Sequence, residues 1–487
     1  MIRDVPLALA AVVLAALLLG APLPFGSVTF GARAALEVGC AVALLLVALA
    51  SQRVAHGVRT PVLALLLVAA WGVVQATPLP GAVVARLSPA SAELQQDAAR
   101  LVGGAVVTRL PLSLAPDLSR RNATWWAAVA AAMAAAASCG SSRRWRRLLA
   151  LALLLAAIFE ILYGAQAWAG GPPVVWGKTL PGGNRLRGTF VNPDHLAFFL
   201  ELPLTMAFAA LFWGVRRARD AASAEARVLL VGPALILWLM LFAAIAFTGS
   251  RAGLLAAVLA TAAQGVAAAV RRRSWKLAPA GIGLLTLGVG TVAAIGLQQG
   301  LGRWLATSPY ELTWASRRVT YGATLELWRR FPWTGTGMAS FRDAFPLVQP
   351  ASIPGAWFHA HNDWLEALAT LGIPGAVALL VGLAALVQRL FRVLLGDNRS
   401  EDRAAALAGY GALVAAAVHS TLDFGLTIPA NALALAVMAG AAAGTPVMVT
   451  TRRRRQGRST SGASPARSAP DRDGDAGAPD PPPAAAP

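Results

Sequence analysis

The chain has 487 residues, of which 57% are hydrophobic and 13% are charged, whereas a soluble domain carries about 25% charged residues. Its 42 lysine and arginine residues outnumber its 23 aspartate and glutamate residues, so the net charge is +19. This composition excludes an ordinary soluble globular protein. Apolar runs of about 20 residues recur along the chain and match the thickness of a bilayer, so the sequence predicts an all-α polytopic membrane protein.

Twelve apolar segments are candidate membrane spans when the chain is followed from its first residue. They cover residues 5–20, 34–50, 61–75, 123–139, 148–168, 196–215, 228–247, 252–270, 277–297, 366–388, 404–420 and 428–444. An even number of spans places both termini on the same side of the membrane. The first segment follows Arg3 and resembles the apolar stretch of a signal peptide, but the eleven spans behind it favour a retained helix.

Basic residues fall in every second connection between these spans, for example Arg143 to Arg147 and Arg271 to Lys276. Cytoplasmic loops hold the excess of lysine and arginine in membrane proteins, so both termini are predicted to be cytoplasmic. The alternate connections are then predicted to lie outside: residues 21–33, 76–122, 169–195, 248–251, 298–365 and 421–427.

The last part of the chain changes composition beyond Arg458, to serine, proline, glycine, alanine and aspartate. Such a segment cannot bury enough apolar surface to order itself, so it is predicted to be a disordered cytoplasmic tail. Asp471 and Asp473 resemble the Asp-x-Asp element of nucleotide-sugar transferases, but the segment lacks a rigid frame for a metal. The two cysteines, Cys40 and Cys139, lie inside apolar runs and predict neither a disulfide framework nor a thiolate site.

The first of four polar segments on the predicted outer side runs from Arg187 to His195. Asn192 or Asp194 in this segment could cap the helix that follows. Capping does not explain why arginine and histidine occur in an outer loop, where positive charge is normally depleted.

The second polar segment, residues 248–253, is a tight reversal that contains Arg251. Its guanidinium group could extend to lipid head groups. It could also clamp an anion, because guanidinium matches phosphate with paired donors and a helix start adds positive potential.

The third polar segment closes the longest outer connection with His359-Ala360-His361-Asn362-Asp363. Two histidines and an aspartate could bind a metal, but a third strong ligand would have to come from His195 or His419. A histidine oriented by a carboxylate is equally suited to take a proton from a hydroxyl group. The sequence favours the general-base interpretation over the metal site.

The fourth polar segment runs from His419 to Phe424, and it is either a helix cap facing water or part of a site. Between the second and third segments lie Arg317 and Arg318, followed by a stretch rich in tryptophan and arginine that ends in the turn 332–337. Paired arginines are usually a solvated surface, although alternating tryptophan and arginine could also meet a sugar and a phosphate. The chain has no glycine-rich phosphate loop of the kind that drives ATP-powered machines.

These segments, in this order, resemble the O-antigen ligase and O-antigen polymerase family of bacterial envelope glycosyltransferases. The resemblance rests on 188–193, 249–253, the turn 332–337, 359–363 and 419–423. It covers roughly residues 180–440. The expected organisation is N-terminal membrane helices in 1–175, a ligase-like membrane domain in 176–445 with the periplasmic loop 298–365, and the tail in 446–487.

The resemblance implies that the protein transfers a glycan from a polyprenyl-pyrophosphate carrier to an acceptor hydroxyl at the periplasmic face of the bacterial inner membrane. It implies no cofactor and no metal. The expected partners are the lipid-linked donor, a lipid, protein or glycan acceptor, and membrane lipids, with no nucleic acid.

The family chemistry assigns roles to residues of all four segments. Residues that would hold the pyrophosphate are Arg251, Arg187, Arg317 and Arg318. His361 is the favoured general base because it adjoins Asn362 and Asp363, with His359 and Asp363 completing the catalytic group. Supporting residues would be Asn192, His195, Asn362, His419 and Asp423.

Two other classes of protein are also compatible with the sequence. A secondary transporter would place charged residues near the bilayer midplane, where Glu160 and Glu201 are the main acidic candidates. A non-catalytic subunit of an envelope assembly complex is the third possibility.

Overall fold

The computed structural model describes residues 4–50, 56–104, 107–170, 174–180, 185–272 and 314–447, together with Gly288 and Gly290. The predicted span 277–297 lies outside the described residues apart from those two glycines. The predicted disordered tail lies outside them beyond residue 447.

The described chain is helical, with very little sheet. Its α-helices are α1 (Asp4–Gly20), α2 (Phe30–Leu49), α3 (Arg59–Ala76), α4 (Gly81–Leu87), α5 (Pro89–Leu101), α6 (Pro116–Gly140), α7 (Arg143–Ala169), α8 (Pro193–Ala218), α9 (Ala224–Phe247), α10 (Arg251–Arg272), α11 (Trp314–Arg330), α12 (Phe341–Ala344), α13 (Asp363–Leu395), α14 (Ser400–His419) and α15 (Pro429–Ala443). Short 3-10 helices occupy Phe25–Ser27, His56–Val58, Phe345–Leu347 and Gly425–Thr427. Two antiparallel strand pairs join β1 (Leu79–Pro80) to β2 (Arg109–Leu110) and β3 (Val174–Val175) to β4 (Lys178–Thr179).

Eight of these helices are long and apolar enough to cross a membrane: α2, α3, α6, α7, α8, α9, α10 and α13. Helices α1 and α15 are shorter and apolar. Helix α14 coincides with the predicted span 404–420 and begins with Glu401, Asp402 and Arg403. The fold is therefore the predicted helical membrane type, whereas twelve crossings stay a prediction.

Small residues allow α6 and α15 to pack backbone against backbone. A Cβ atom built on Gly444, just after α15, would lie 1.9 Å from the carbonyl oxygen of Ala137, and one on Gly440 would lie 2.5 Å from that of Met133. Helix α6 contributes a run of alanines to this contact. Close approach through small residues is how helices associate where apolar burial alone gives little preference.

The basic connections lie at the end of the bundle opposite to the polar segments. Arg146, at the start of α7, is buried and donates to Asp402 at the start of α14. Arg147 beside it binds Glu401 through two hydrogen bonds of 2.8 and 2.7 Å. Helix α14 starts at this basic end and finishes at His419. The basic connections and the candidate site residues therefore lie at opposite ends of the bundle.

Helix α13 is interrupted near its start, where Gly372 adopts φ 66° and ψ −173°. The carbonyls opened by this break are satisfied from outside the helix. Thr336 N donates to Ala369 O at 2.9 Å, and Gly337 N donates to Thr370 O at 3.0 Å. Further donors are Gln75 Nε2 to Thr370 O and Trp71 Nε1 to Leu371 O, at 2.9 and 2.8 Å. The turn 332–337 therefore caps a broken helix.

The segment between α11 and α13 has a small core of its own. Phe331, Phe341 and Phe345 are almost completely buried, and the rings of the last two stack with centroids 4.9 Å apart. Ala360 belongs to the same cluster. This core holds the backbone of residues 359–361 against the end of the bundle that carries the polar segments.

Candidate active site

Three histidines at the outer-segment end of the bundle each pair with a carboxylate through Nδ1. The pairs are His361 with Asp423 Oδ1 at 3.0 Å, His359 with Glu366 Oε1 at 3.0 Å, and His419 with Glu201 Oε1 at 2.6 Å. A carboxylate accepts hydrogen bonds, so in each neutral imidazole this contact assigns the proton to Nδ1 and leaves Nε2 as the acceptor.

His361 and Asp423 form a pair that is suited to proton transfer at a surface. The side chain of His361 is 19% exposed, whereas that of Asp423 is 2% exposed. Asp423 lies on the turn that follows α14, where its amide donates to His419 O at 3.0 Å. A partly exposed imidazole oriented by a buried carboxylate is the arrangement that a general base requires.

The backbone of His361 is held in a left-handed conformation with φ 51°. Tyr321 on α11 donates its hydroxyl proton toward His361 O at 2.8 Å and lies 3.2 Å from Thr421 O. A non-glycine residue in this region costs free energy and persists only where its surroundings impose it. Tyr321 therefore fixes the residue that carries the candidate base and joins it to the turn that carries Asp423.

Asp423 is surrounded by histidines. Burial opposes ionisation of its carboxyl group, but the hydrogen bond and charge of His361 hold its pKa well below the usual range, and His195 and His419 act in the same direction. Asp423 is therefore a carboxylate at any working pH, and it accepts the Nδ1 proton of His361.

His359 has a different environment from His361. Burial alone would lower the pKa of His359, but the charge of Glu366 and its hydrogen bond raise that pKa above the usual value. The second oxygen of Glu366 accepts the amide of Ala360 at 2.9 Å. Glu366 thus binds the histidine and the backbone of the same segment.

The ring of Phe424 lies among three histidines. It stacks on His359 with a centroid distance of 4.2 Å and an interplanar angle of 16°. It meets His361 and His195 edge to face, each at 4.8 Å. Because these histidines come from α8 and from the segment before α13, Phe424 joins the first, third and fourth polar segments into one site.

The structure gives Asp363 a different role from the predicted catalytic one. Its Oδ2 atom accepts Ser420 Oγ at 2.7 Å and the amide of Leu426 at 3.1 Å. Its own amide donates to Ser420 O at 2.9 Å. Asp363 therefore fastens the start of α13 to the turn after α14, and the carboxylate that orients His361 is Asp423, 62 residues further along the chain.

Both predicted asparagines act as helix caps. Asn192 Oδ1 accepts the amide of Asp194 at 2.9 Å at the start of α8, as the capping interpretation predicted. Asn362 Oδ1 accepts the amide of Leu365 at 3.0 Å, and its Nδ2 donates to Thr421 O at 3.1 Å. Each cap sets the direction in which a histidine-bearing segment enters the bundle.

The first and second polar segments lie next to each other. Arg185 Nε donates to Thr248 O at 2.6 Å, and its Nη2 pairs with Asp194 at 2.8 Å. Arg251 is exposed and opens α10, which packs closely on α8. Arg187 is only 1% exposed, and its Nη1 donates to Val191 O at 3.1 Å.

The paired arginines of α11 differ in exposure. Arg317 is half-buried and donates through Nη1 to Leu422 O, one residue before Asp423. Arg318 is exposed. Of the four arginines predicted to bind pyrophosphate, Arg251 and Arg318 are therefore exposed. Arg317 is half-buried and Arg187 is buried.

The remaining polar residues of the site lie deeper in the bundle. Asn431 Nδ2 donates to His195 O and Gly425 O, both at 3.2 Å. His419 and Glu201 are both completely buried. The other acidic residue within a span, Glu160, accepts the amide and hydroxyl of Thr189 at 2.6 and 2.8 Å. Both acidic residues considered for transport thus bind neighbouring loops and helices.

In the part of the chain that the structure describes, no three histidine, cysteine, aspartate or glutamate side chains are grouped so that they could hold a metal ion. The predicted alternative of His359, His361 and Asp363 as ligands requires three converging donors. Their Nδ1 and Oδ2 atoms are directed to three separate partners, namely Glu366, Asp423 and Ser420.

A bundle of long apolar helices that carries a carboxylate-oriented histidine at one end defines a multi-pass membrane protein with a candidate site at one end of the bundle. Residues 235–380 match the family model for the O-antigen ligase domain. The match confirms the resemblance to the O-antigen ligase family seen in the sequence, over about 30% of the chain. No curated protein matches the chain.

Proposed function

We propose that this protein transfers a glycan from a polyprenyl-pyrophosphate carrier to an acceptor hydroxyl at the periplasmic face of the inner membrane. The observation that carries this proposal is the His361–Asp423 pair at the outer-segment end of the bundle. The family match supports glycan transfer of the ligase or polymerase kind.

His361 acts in this proposal as the general base. Its Nε2 atom takes the proton of the acceptor hydroxyl while the hydroxyl oxygen bonds to C1 of the donor sugar. The bond from C1 to the phosphate oxygen breaks, and its electron pair leaves with the pyrophosphate. Asp423 stabilises the resulting imidazolium without itself taking the proton.

The leaving pyrophosphate gains negative charge as that bond breaks, and fixed positive groups stabilise it. Arg251 and Arg318 are exposed and would contact the phosphates directly. Arg187 and Arg317 would act indirectly, by donating hydrogen bonds to the backbone carbonyls of Val191 and Leu422. Neither a metal nor a cofactor takes part in the proposed reaction.

The proposed function is tested with purified protein and a synthetic polyprenyl-pyrophosphate sugar. We expect the protein to form the glycoside and release polyprenyl pyrophosphate in equal amounts, and chelators to leave the rate unchanged. A nucleotide sugar offered in place of the lipid donor serves as the negative control. Transfer from the nucleotide sugar, or loss of activity on chelation with recovery on adding one divalent ion, would contradict the proposal.

The arrangement of basic residues supports the proposed periplasmic position of the site. The connections that contain Arg143 to Arg147 and Arg399 to Arg403 are at the end opposite to His361, and basic loops are cytoplasmic. We expect alkaline phosphatase fused near residue 340 to be active and the same fusion near residue 397 to be inactive. The reverse pattern would place the site in the cytoplasm and remove the proposed donor.

A further inference from the structure

His359 and His361 are two residues apart, and the carboxylates that they pair with have different surroundings. Asp423, the partner of His361, also faces His195 and His419, so its negative charge is shared among three imidazoles. Glu366 pairs with His359, and no second histidine pairs with it in the described ranges of the chain. The negative charge near His359 is therefore less compensated than the negative charge near His361.

The aromatic contacts differ in the same direction. Phe424 presents its face to the ring of His359, with the two planes 16° apart. It meets His361 at 78°. The face of a phenyl ring carries negative electrostatic potential and attracts a cation above it. Stacking on this face stabilises a protonated His359.

Resting on the proposed function, we propose that His359, as an imidazolium paired with Glu366 and stacked on Phe424, binds the phosphate groups of the lipid-pyrophosphate donor beside His361, which acts as the base. The side chain of His359 is 30% exposed, which gives a ligand access to it. Its Nδ1–H is bound by Glu366, so its Nε2–H is the donor for a phosphate oxygen.

The charged and titratable groups around His359 are consistent with this assignment. Those that act on it most strongly are three acids, Glu366, Asp363 and Asp423, which together raise its pKa against the effect of burial. The nearby histidines are His195 and His361. The three acids therefore favour the protonated form of His359, which is the form that binds an anion.

The charge states divide the chemistry between the two rings. His361 takes the proton of the acceptor hydroxyl and becomes an imidazolium. His359 keeps its proton throughout and hydrogen-bonds to the phosphate oxygen that receives the electron pair of the broken C1–O bond. Enzymes commonly assign different roles to two neighbouring titratable groups through their different surroundings.

The charge of His359 can be measured directly because the chain contains only five histidines. Full-length protein with ¹³C- and ¹⁵N-labelled histidine would be titrated in lipid nanodiscs, with signals assigned by single substitutions. We expect the His359 signal to be that of an imidazolium at pH 7 and its midpoint to lie above the ordinary value of a histidine side chain. A neutral His359 at pH 7 would overturn the proposal.

Two variants test the cause of the charge. Glu366→Gln keeps an acceptor oxygen near Nδ1 but removes the negative charge, and Phe424→Leu removes the stacked ring. Each should lower the His359 midpoint, by about one pH unit for Glu366→Gln, and neither should move the signal of His56, which lies between α2 and α3. An unchanged His359 midpoint in both variants would contradict the electrostatic argument.

Ligand binding is tested with inorganic pyrophosphate as the probe. It should shift the His359 signal of the wild-type protein, and His359→Gln should weaken pyrophosphate binding about tenfold. An imidazolium at His359 that does not respond to pyrophosphate would overturn the binding role. These measurements need no turnover, so their failure is distinguishable from failure of glycan transfer itself.

Discussion

The substitution His361→Ala should lower the rate of glycan transfer by about 10²–10⁴-fold, the usual contribution of a positioned general base. Donor binding should change little, because the base contacts the acceptor hydroxyl and not the phosphates. The wild-type rate should also fall as the pH is lowered, since a protonated imidazole cannot accept a proton. The measurements are the transfer rate with a synthetic lipid-pyrophosphate sugar, from acidic to neutral pH, and the affinity for that donor.

Two variants provide contrasts for this result. His56→Ala removes a histidine from the connection between α2 and α3, and it should leave the rate unchanged. Arg251→Lys should instead weaken donor binding, because lysine keeps the charge but loses the paired donors that match a phosphate. A His361→Ala enzyme with the wild-type rate would remove this residue from the chemistry, and an Arg251→Lys enzyme with normal donor affinity would remove the proposed clamp.

Asp423→Asn should be nearly as damaging as loss of the histidine, with a decrease in rate of about 10²–10⁴-fold. Asp423 accepts the Nδ1 proton of His361 and so leaves Nε2 free to take a proton. An asparagine that turns its amide group toward Nδ1 donates to that atom and places the imidazole proton on Nε2. The ring then has the correct position and the wrong tautomer. The measurement is the transfer rate of correctly folded protein, compared at several pH values.

Asp363→Asn is the matched control for the Asp423 variant. Asp363 binds Ser420 and Leu426 rather than a histidine, so its substitution should reduce stability more than it reduces the rate per folded molecule. If Asp363→Asn abolished transfer in stable protein while Asp423→Asn remained active, the orienting role would belong to Asp363 as the sequence alone suggested.

The sequence predicts the class of fold because membrane spans depend on local composition. Eleven of the twelve predicted spans coincide with helices of the described chain. The remaining span, 277–297, lies outside the described residues apart from Gly288 and Gly290. The broken start of α13 was not predicted, because its open carbonyls are satisfied by Gln75, about 300 residues earlier, and by the turn 332–337. Such long-range capping leaves little signal in either segment by itself.

The same distinction applies to the site. The motif around His361 was recognisable from adjacent residues, and so was the cap at Asn362. The partner of His361 was not recognisable, since Asp363 is closer in the sequence and Asp423 is closer in space. The roles of Glu366, Tyr321 and Phe424 were missed for the same reason, although each lies within seven residues of a residue that the sequence did single out.

The groups that cap the break in α13 all precede this helix in the chain: Trp71, Gln75 and the turn 332–337. During synthesis, the ribosome has therefore already made them when α13 emerges, so this span needs no later segment to satisfy its open carbonyls. Asp423 emerges about 60 residues after His361. The proposed pairing of His361 with Asp423 can therefore form only once the turn after α14 has been synthesised, later than the groups that cap the break in α13.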